Sequence, residues 1–304
     1  MRRAAAAAVL GLALALATPA AAGREVEIHS LEDGDRIARE LGYTNEVWDA
    51  GIRNIPRLYI TGVTSKWRDE WAKQVTVAKK KDVFFRALAP LVLHANELIV
   101  ENRTHLALFV DERTFETASQ LDRDWLIDLA LDYKVIPSAQ TPVDDAVIAE
   151  LWVRCDIVPP SLALAQSAEG SGWGRSRFAA EGNALFGQWA FDGNGITPKD
   201  QRAELGNYKI AAFETPLASV LAYMRNLNTH RAYQALRDKR AEIRAAGRKP
   251  TGKDLVDTLT KYSERGADYV KSLRAIMRVN HLHEADGAWL VGEPIYMVPG
   301  KPDV

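Results

Sequence analysis

Residues 158–189, VPPSLALAQSAEGSGWGRSRFAAEGNALFGQW, constrain this chain more than any other stretch. Pro159-Pro160-Ser161 stops one helix and opens another, with Ser161 near the N-cap. The apolar run Leu162, Ala163, Leu164, Ala165 then leads into Glu169, Gly170 and Ser171. Gly172-Trp173-Gly174 ends that helix, and Asn183, Leu185, Phe186 and Gly187 follow in a second compact element.

Around it the chain reads as a secreted, mostly helical protein. Arg2 and Arg3, the apolar run from Ala4 to Ala17, and Ala20-Ala21-Ala22 before Gly23 have the pattern of a secretory leader, residues 1–22. That run is shorter than the roughly 20 residues of a membrane span. No later segment reads as apolar enough to cross a bilayer, and no Cys marks a lipid-anchor site. The roughly 280 residues that follow are long for one domain. With 39 basic and 40 acidic residues, the chain lacks the basic face that nucleic acid requires. Its single cysteine, Cys155, forms no internal disulfide and sits in the apolar LWVRCDIV, where it reads as a small buried hydrophobe.

Residues 24–70 are turn-rich, with Arg57-Leu58-Tyr59-Ile60 as a short strand. Val83, Phe84, Leu88, Leu91, Val92, Ala95 and Ile99 repeat with helical spacing across 75–103, and Pro90 should kink or divide that helix. Amphipathic helices are expected at 121–134 and 143–156, with acidic residues in their first turns. Beyond Phe191 the turns at 192–195 and 205–207 and the alternating 208–213 predict a β-hairpin. Thr215-Pro216 opens a helix buried through Leu217, Val220, Leu221, Met224 and Leu227. DKRAEIRAAGRK reads as a solvated helix end, and a last helix spans 255–282 with a break near Gly266.

The motif resembles the active-site segment of the bacterial glucosaminidases of lysozyme-like fold, glycoside hydrolase family 73, in their Bax-type branch. Ala165, Gln166, Ala168, Ser171, Gly172, Trp173, Gly174, Ser176, Arg177, Phe178 and Ala179 match its pattern. The helical 79–103 resembles the N-terminal region of Bax-type proteins. In that family the motif carries its catalytic acid, a glutamate, where this chain has Gly170; a glutamate stands one residue earlier, Glu169. The resemblance implies an α+β, mostly helical fold: a lysozyme-like domain at 140–285 with a small β-hairpin lobe, a helical N-terminal extension at 23–139, and a C-terminal tail at 286–304. It also implies a peptidoglycan glycan substrate cut at N-acetylglucosaminyl β-1,4 linkages, no cofactor or metal, and a periplasmic or envelope location. Envelope proteins are the further partners such a chain would meet.

Glycoside hydrolysis needs a carboxylic acid to protonate the leaving oxygen and a second group to stabilise the cationic centre. Adjacent helix positions point about 100° apart, so Glu169 does not simply replace a carboxylate at 170. Either Gly170 loosens the last turn and delivers Glu169 to the cleft, or the acid is lost and the chain is a binding or scaffold protein. By the resemblance, Glu204 is the first candidate for the second carboxylate and Asp200 the next. LTKYSERGADYVKSLRAIM resembles the family's closing helix, which implies that Tyr262 projects beside the acid; a core tyrosine reads equally well there. By the same resemblance Trp173 and Phe186 would build the cleft floor, and Tyr223 with Asn226 and Asn228 would be candidate N-acetyl contacts, the asparagines serving equally as caps or turns. Other chemistries fit less well. Gly170-x-Gly172-x-Gly174 follows a helix rather than a strand, so it is no dinucleotide fingerprint. Asp192-Gly-Asn194-Gly lacks the ligands of a calcium loop. His281-x-His283 shows no metal partners, and Ser171 shows no His–Asp relay.

Overall fold

The computed structural model describes residues 23–111, 114–190, 195–199, 201 and 207–300. It is α+β and mostly helical, as expected. Strand β1 (Arg24–Ile28) leads into α1 (Leu31–Glu40), where Ser30 and Asp33 form a reciprocal capping box. α2 (Asn45–Asp49) and β2 (Asn54–Ile60) follow, then a π-helical turn at Trp67–Trp71 and the short α3 (Ala72–Gln74). α4 (Val77–Asp111) is the central pillar, with Leu91, Val92, Ala95 and Leu106 fully buried. It is not divided at Pro90. Flanking core contacts hold the helix through the missing hydrogen bond, which propensity alone does not anticipate.

α4 also corrects the expectation about membrane spans. By length and composition Val77–Val110 could cross a bilayer, and more than half of its most apolar window is buried inside the fold. A long helix packed on several sides must be apolar nearly all round, which is the same pattern.

α5 (Gln120–Asp132) and α6 (Asp145–Arg154) are capped by Ser119 and Asp144, whose side chains accept from Asp122 and Val147 N–H. α7 (Pro160–Ser171) carries the motif and α8 (Arg177–Gly182) follows it. β3 (Trp189–Ala190), β4 (Gly195–Ile196) and β5 (Lys209–Ala211) form a small antiparallel lobe in the order β3-β5-β4. α9 (Pro216–Thr229), α10 (Gln234–Ala245) and α11 (Gly252–Leu255) come next. The last expected helix is several pieces: α11, a 3-10 turn at Val256–Leu259, then α12 (Ala267–Val279) after Gly266.

The N-terminal region is less purely helical than expected, and the C-terminal segment is not a loose tail. β6 (Trp289–Pro299) lies between β1 and β2 in a parallel sheet, pairing Arg24 with Ile295 and Ile60 with Met297. Parallel pairing joins segments remote in sequence and leaves no hairpin turn to read. Gly292 and Pro294 further disguise the strand.

The DKRAEIRAAGRK stretch is solvated over 245–249, as expected, but Arg240 within it is buried. Arg240 is 0% exposed, and its guanidinium donates to the carbonyls of Val153, Asp156 and Ile157 and to Asn228 Oδ1 at 2.8–3.0 Å. Arg103 donates to the carbonyls of Trp152 and Cys155 while lying over the Trp152 ring. These cations satisfy the orphan carbonyls that end α6, where the helix dipole also favours positive charge. Asp156, 2% exposed, completes the network by accepting from Arg244 at 2.8 and 3.0 Å. Cys155 is buried beside them.

Two clamps fix the motif helix at its start. Asn96 of α4 bonds both the N–H and the carbonyl of Val158, at 3.1 and 2.8 Å. Asp286 accepts from Ser161 N–H and Oγ, both at 2.8 Å, and from Gly252 N–H at 3.1 Å. Ser161 is thus the second helical residue, with Pro159 at the cap. Burial raises the Asp286 carboxyl above its ordinary range despite these donors. A Cβ at Gly252 would stand 2.2 Å from Ser161 Oγ, so only glycine permits this approach.

Candidate functional site

α7 remains helical through Ser171 and ends on three successive left-handed residues, Gly172, Trp173 and Gly174, at φ 56, 63 and 72°. Glycine adopts this conformation freely, whereas Trp173 is strained there by about 1–2 kcal/mol. Its surroundings hold it. Trp67 Nε1–H donates to the Trp173 carbonyl at 3.0 Å, and the indole packs against Phe84 and Phe85 with Lys81 over its face. Ser171 Oγ donates to the Ser167 carbonyl at 2.7 Å and accepts from Gly174 N–H at 2.8 Å. Trp173 therefore anchors the turn on α4. Ser171 is structural, with its hydroxyl engaged.

Below the end of α7 lies a cluster of aromatic rings. Phe186, 2% exposed, stacks on fully buried Tyr223 with centroids 3.9 Å apart. The Tyr223 hydroxyl donates to Gln166 Oε1 at 2.6 Å, and Gln166 Nε2 donates to the Tyr269 hydroxyl at 3.0 Å. Tyr262 stacks on Tyr269 at 5.6 Å, meets Tyr223 edge-on, and donates its hydroxyl to the Phe186 carbonyl at 3.1 Å. Burial pushes the Tyr223 and Tyr262 hydroxyls well above the ordinary tyrosine range, so both stay protonated. Phe186 and Tyr223 support the surface from beneath. Tyr262 is partly exposed and reaches it.

The two positions in question are Gly170, against the Phe186 backbone that accepts from Tyr262, and Glu169 beside it in sequence. Gly170 is exposed, yet a Cβ there would lie 3.0–3.1 Å from the backbone Cα, C and O of Phe186. Glu169 is one residue back on the unbroken helix, its side chain 24% exposed, with Oε1 engaged by the Arg265 guanidinium. Arg265 also donates to Ser272 Oγ at 2.7 Å. The last turn of α7 is not unwound at Gly170, so the rearrangement that would swing Glu169 round is absent from this conformation.

The remaining candidates divide. Burial raises the Tyr233 hydroxyl pKa; Asn226 on α9 lies close enough to offset part of that rise, and Tyr233 packs against Tyr262. Asn228 is fully buried and serves the Asp156–Arg240 network through both of its amide atoms. Glu204 and Asp200 lie outside the described residues. Asn183 closes the lobe: its Oδ1 accepts from Val63 N–H at 2.9 Å and its Nδ2 donates to the carbonyls of Phe213 and Glu214. Sequence reasoning missed Arg265, whose partner is 96 residues away. It also missed Trp67 and Tyr269. The seven-residue step from Tyr262 to Tyr269 suits two rings on one helical face, but Tyr262 lies in the turn before α12. No cluster of three or more potential metal ligands occurs among the described residues.

Residues 147–282 match the glucosaminidase family model, described as mannosyl-glycoprotein endo-beta-N-acetylglucosaminidase. Protein bax of Escherichia coli (strain K12) is 31% identical over 201 residues, 66% of this chain and 70% of that protein. No solved structure matches the chain. A match over the segment that holds α6 to α12, together with a relative aligned well beyond it, carries the assignment: the chain is a Bax-like member of the glucosaminidase family.

Proposed function

We propose that this protein binds peptidoglycan glycan strands at the surface formed by the end of α7, Tyr262 and the β3-β5-β4 lobe, and that it does so without cleaving them. The observation that carries the reading is at the acid's position. Gly170 offers no carboxyl, and its missing side chain is matched by the approach of the Phe186 backbone. Glu169 presents its Oε1 to Arg265 rather than to a leaving oxygen. Protonation of the glycosidic oxygen needs a positioned carboxylic acid, and neither residue supplies one in this arrangement. The family assignment supports a glycan ligand of this general type. The leader-like N-terminus fits an envelope location, where such strands occur.

A second reading, hydrolysis through Glu169, has one observation in its favour. The Arg265 side chain is 53% exposed, and exposed ion pairs are held by only about 0–1 kcal/mol, so a substrate could displace it. One experiment separates the two. The protein is incubated with insoluble peptidoglycan, retention is measured by sedimentation, and the supernatant is chromatographed for muropeptides. Retention without release is the expected result. Release by the wild type that disappears in Glu169→Gln would overturn the non-hydrolytic reading and make Glu169 the acid. Absence of both retention and release from folded protein would overturn both.

A further inference from the structure

Of the eight tryptophans, Trp189 and Trp289 are the exposed ones, at 41% and 56%. Trp189 opens β3 and pairs with Ile210 of β5. Its indole is stacked on Tyr208, with centroids 4.7 Å apart and planes 30° from parallel. Tyr208 is 6% exposed, so the indole rests on a buried ring. A tryptophan so backed has little rotamer freedom left to lose when a ligand arrives, which is how rigid aromatic contacts gain affinity.

Its place on the chain ties it to the candidate site. Phe186 receives the Tyr262 hydroxyl, and a Cβ on Gly187 would look at the Gly170 carbonyl from 3.7 Å. Trp189 is two residues further on, so its Cα lies within about 7 Å of that of Gly187 even if the chain is fully extended. The Gln188 carbonyl, accepting from Ala211 N–H at 2.9 Å, fastens this step to the lobe.

We infer that Trp189 is a sugar-stacking platform at the lobe rim, taking the apolar C–H face of a pyranose ring in an N-acetylglucosamine-containing glycan bound across the end of α7. The inference rests on the glycan-binding reading above and extends it to a specific contact. An aromatic face and a pyranose with equatorial substituents are complementary: the ring's axial C–H groups meet the negative π-face, and hydroxyls stay at the edge in water. The Trp189 contact is independent of catalysis and holds whether or not position 169 acts as an acid.

Trp289 provides a matched control. It lies three residues beyond Asp286, which binds Ser161 in the first turn of α7, whereas Gly170 lies nine residues further along that helix, about 14 Å away along its axis. Affinity for a soluble N-acetylglucosamine tetramer is measured by titration calorimetry for the wild type, Trp189→Ala, Trp189→Phe and Trp289→Ala, with sedimentation on insoluble peptidoglycan in parallel. Trp189→Ala is expected to weaken binding about tenfold or more, Trp189→Phe less, and Trp289→Ala within about twofold of wild type. If the wild type binds and Trp189→Ala binds equally well, the inference is wrong and the glycan-binding reading stands. If the wild type binds neither ligand, the reading falls and the platform with it. Should Trp189→Ala fail to fold by thermal melting, Trp189→Phe decides, because unchanged affinity on the smaller ring would overturn the platform.

Discussion

Replacing Gly170 sets two effects of opposite sign against each other at the position that defines the site. Helix propensity alone favours Gly170→Ala by up to about 1 kcal/mol. The structure opposes it, because the new Cβ would sit 3.0–3.1 Å from three backbone atoms of Phe186. Ordinary carbon contacts fall near 3.5–4.0 Å, so the backbone must retreat by roughly half an ångström. That backbone is tied on several sides: the Phe186 ring stacks on Tyr223, its carbonyl accepts from Tyr262, and Leu185 N–H donates to buried Ser219 Oγ at 3.2 Å. Overpacking of this kind typically costs about 1–3 kcal/mol. The balance is a loss of about 0–2 kcal/mol, with a midpoint near 1, which in a chain of this size lowers the melting temperature by about 2–4 °C. Differential scanning calorimetry of wild type and Gly170→Ala measures it. A rise in melting temperature would refute the reasoning, because it would mean that the Phe186 backbone yields freely and propensity wins. The same contact predicts that Gly170→Glu does not create muropeptide release. Its carboxylate would start from a Cβ already pressed on the Phe186 carbonyl. Hydrolysis appearing in that variant would show that the site lacks only its acid.

Arg240→Met should destabilise the fold by about 3–5 kcal/mol in urea denaturation, because it strands buried carbonyls at the end of α6 and removes a cation beside buried Asp156. Tyr262→Phe removes only the bond to the Phe186 carbonyl; a loss of about 0.5–1.5 kcal/mol with glycan retention unchanged is expected, and lost retention would make its hydroxyl a ligand contact. Burial alone would raise the Asp156 carboxyl, but the Arg244 hydrogen bonds and the charges of Arg240 and Arg103 outweigh it, leaving its pKa below the ordinary value. A carboxylate depressed on folding contributes stability above its unfolded pKa of about 3.9 and loses it as pH falls through the folded value. Arg244→Met should therefore move acid unfolding, followed by circular dichroism, to higher pH; an unmoved midpoint would mean that Asp156 does not govern acid stability.

Short-range signals were the legible part of this fold. The acidic first turns of α5 and α6, the Thr215-Pro216 start of α9 and the glycines ending α7 appear where local chemistry places them. Long-range pairings were not legible. β6 enters the sheet beside strands more than 200 residues earlier, and nothing in its own residues names those partners. The basic face of α10 reads as solvated until α6 is seen to end against it. Arg265 at Glu169 belongs to the same class, since a surface arginine carries no mark of which carboxylate it will meet.

The motif itself divides along the same line. Gln166 joins Tyr223 to Tyr269, Ser171 fastens Gly174, Trp173 anchors on Trp67 and the phenylalanines of α4, and Ser176 caps α8 at Ala179 N–H. Each of these matches performs a task in folding that no catalytic step requires. Their presence therefore argues for the architecture with force and for hydrolysis hardly at all. Position 170 is where the catalytic argument has to be made, and there the backbone of Phe186 has closed toward a glycine. A chain can keep the framework of such a site for as long as the framework is also its core, since Gln166, Ser171, Phe186 and Tyr223 are all buried and cannot be lost cheaply. Position 170 is under no such restraint: a carboxylate at an exposed helix end contributes little to folding, so a glycine there is compatible with the same fold.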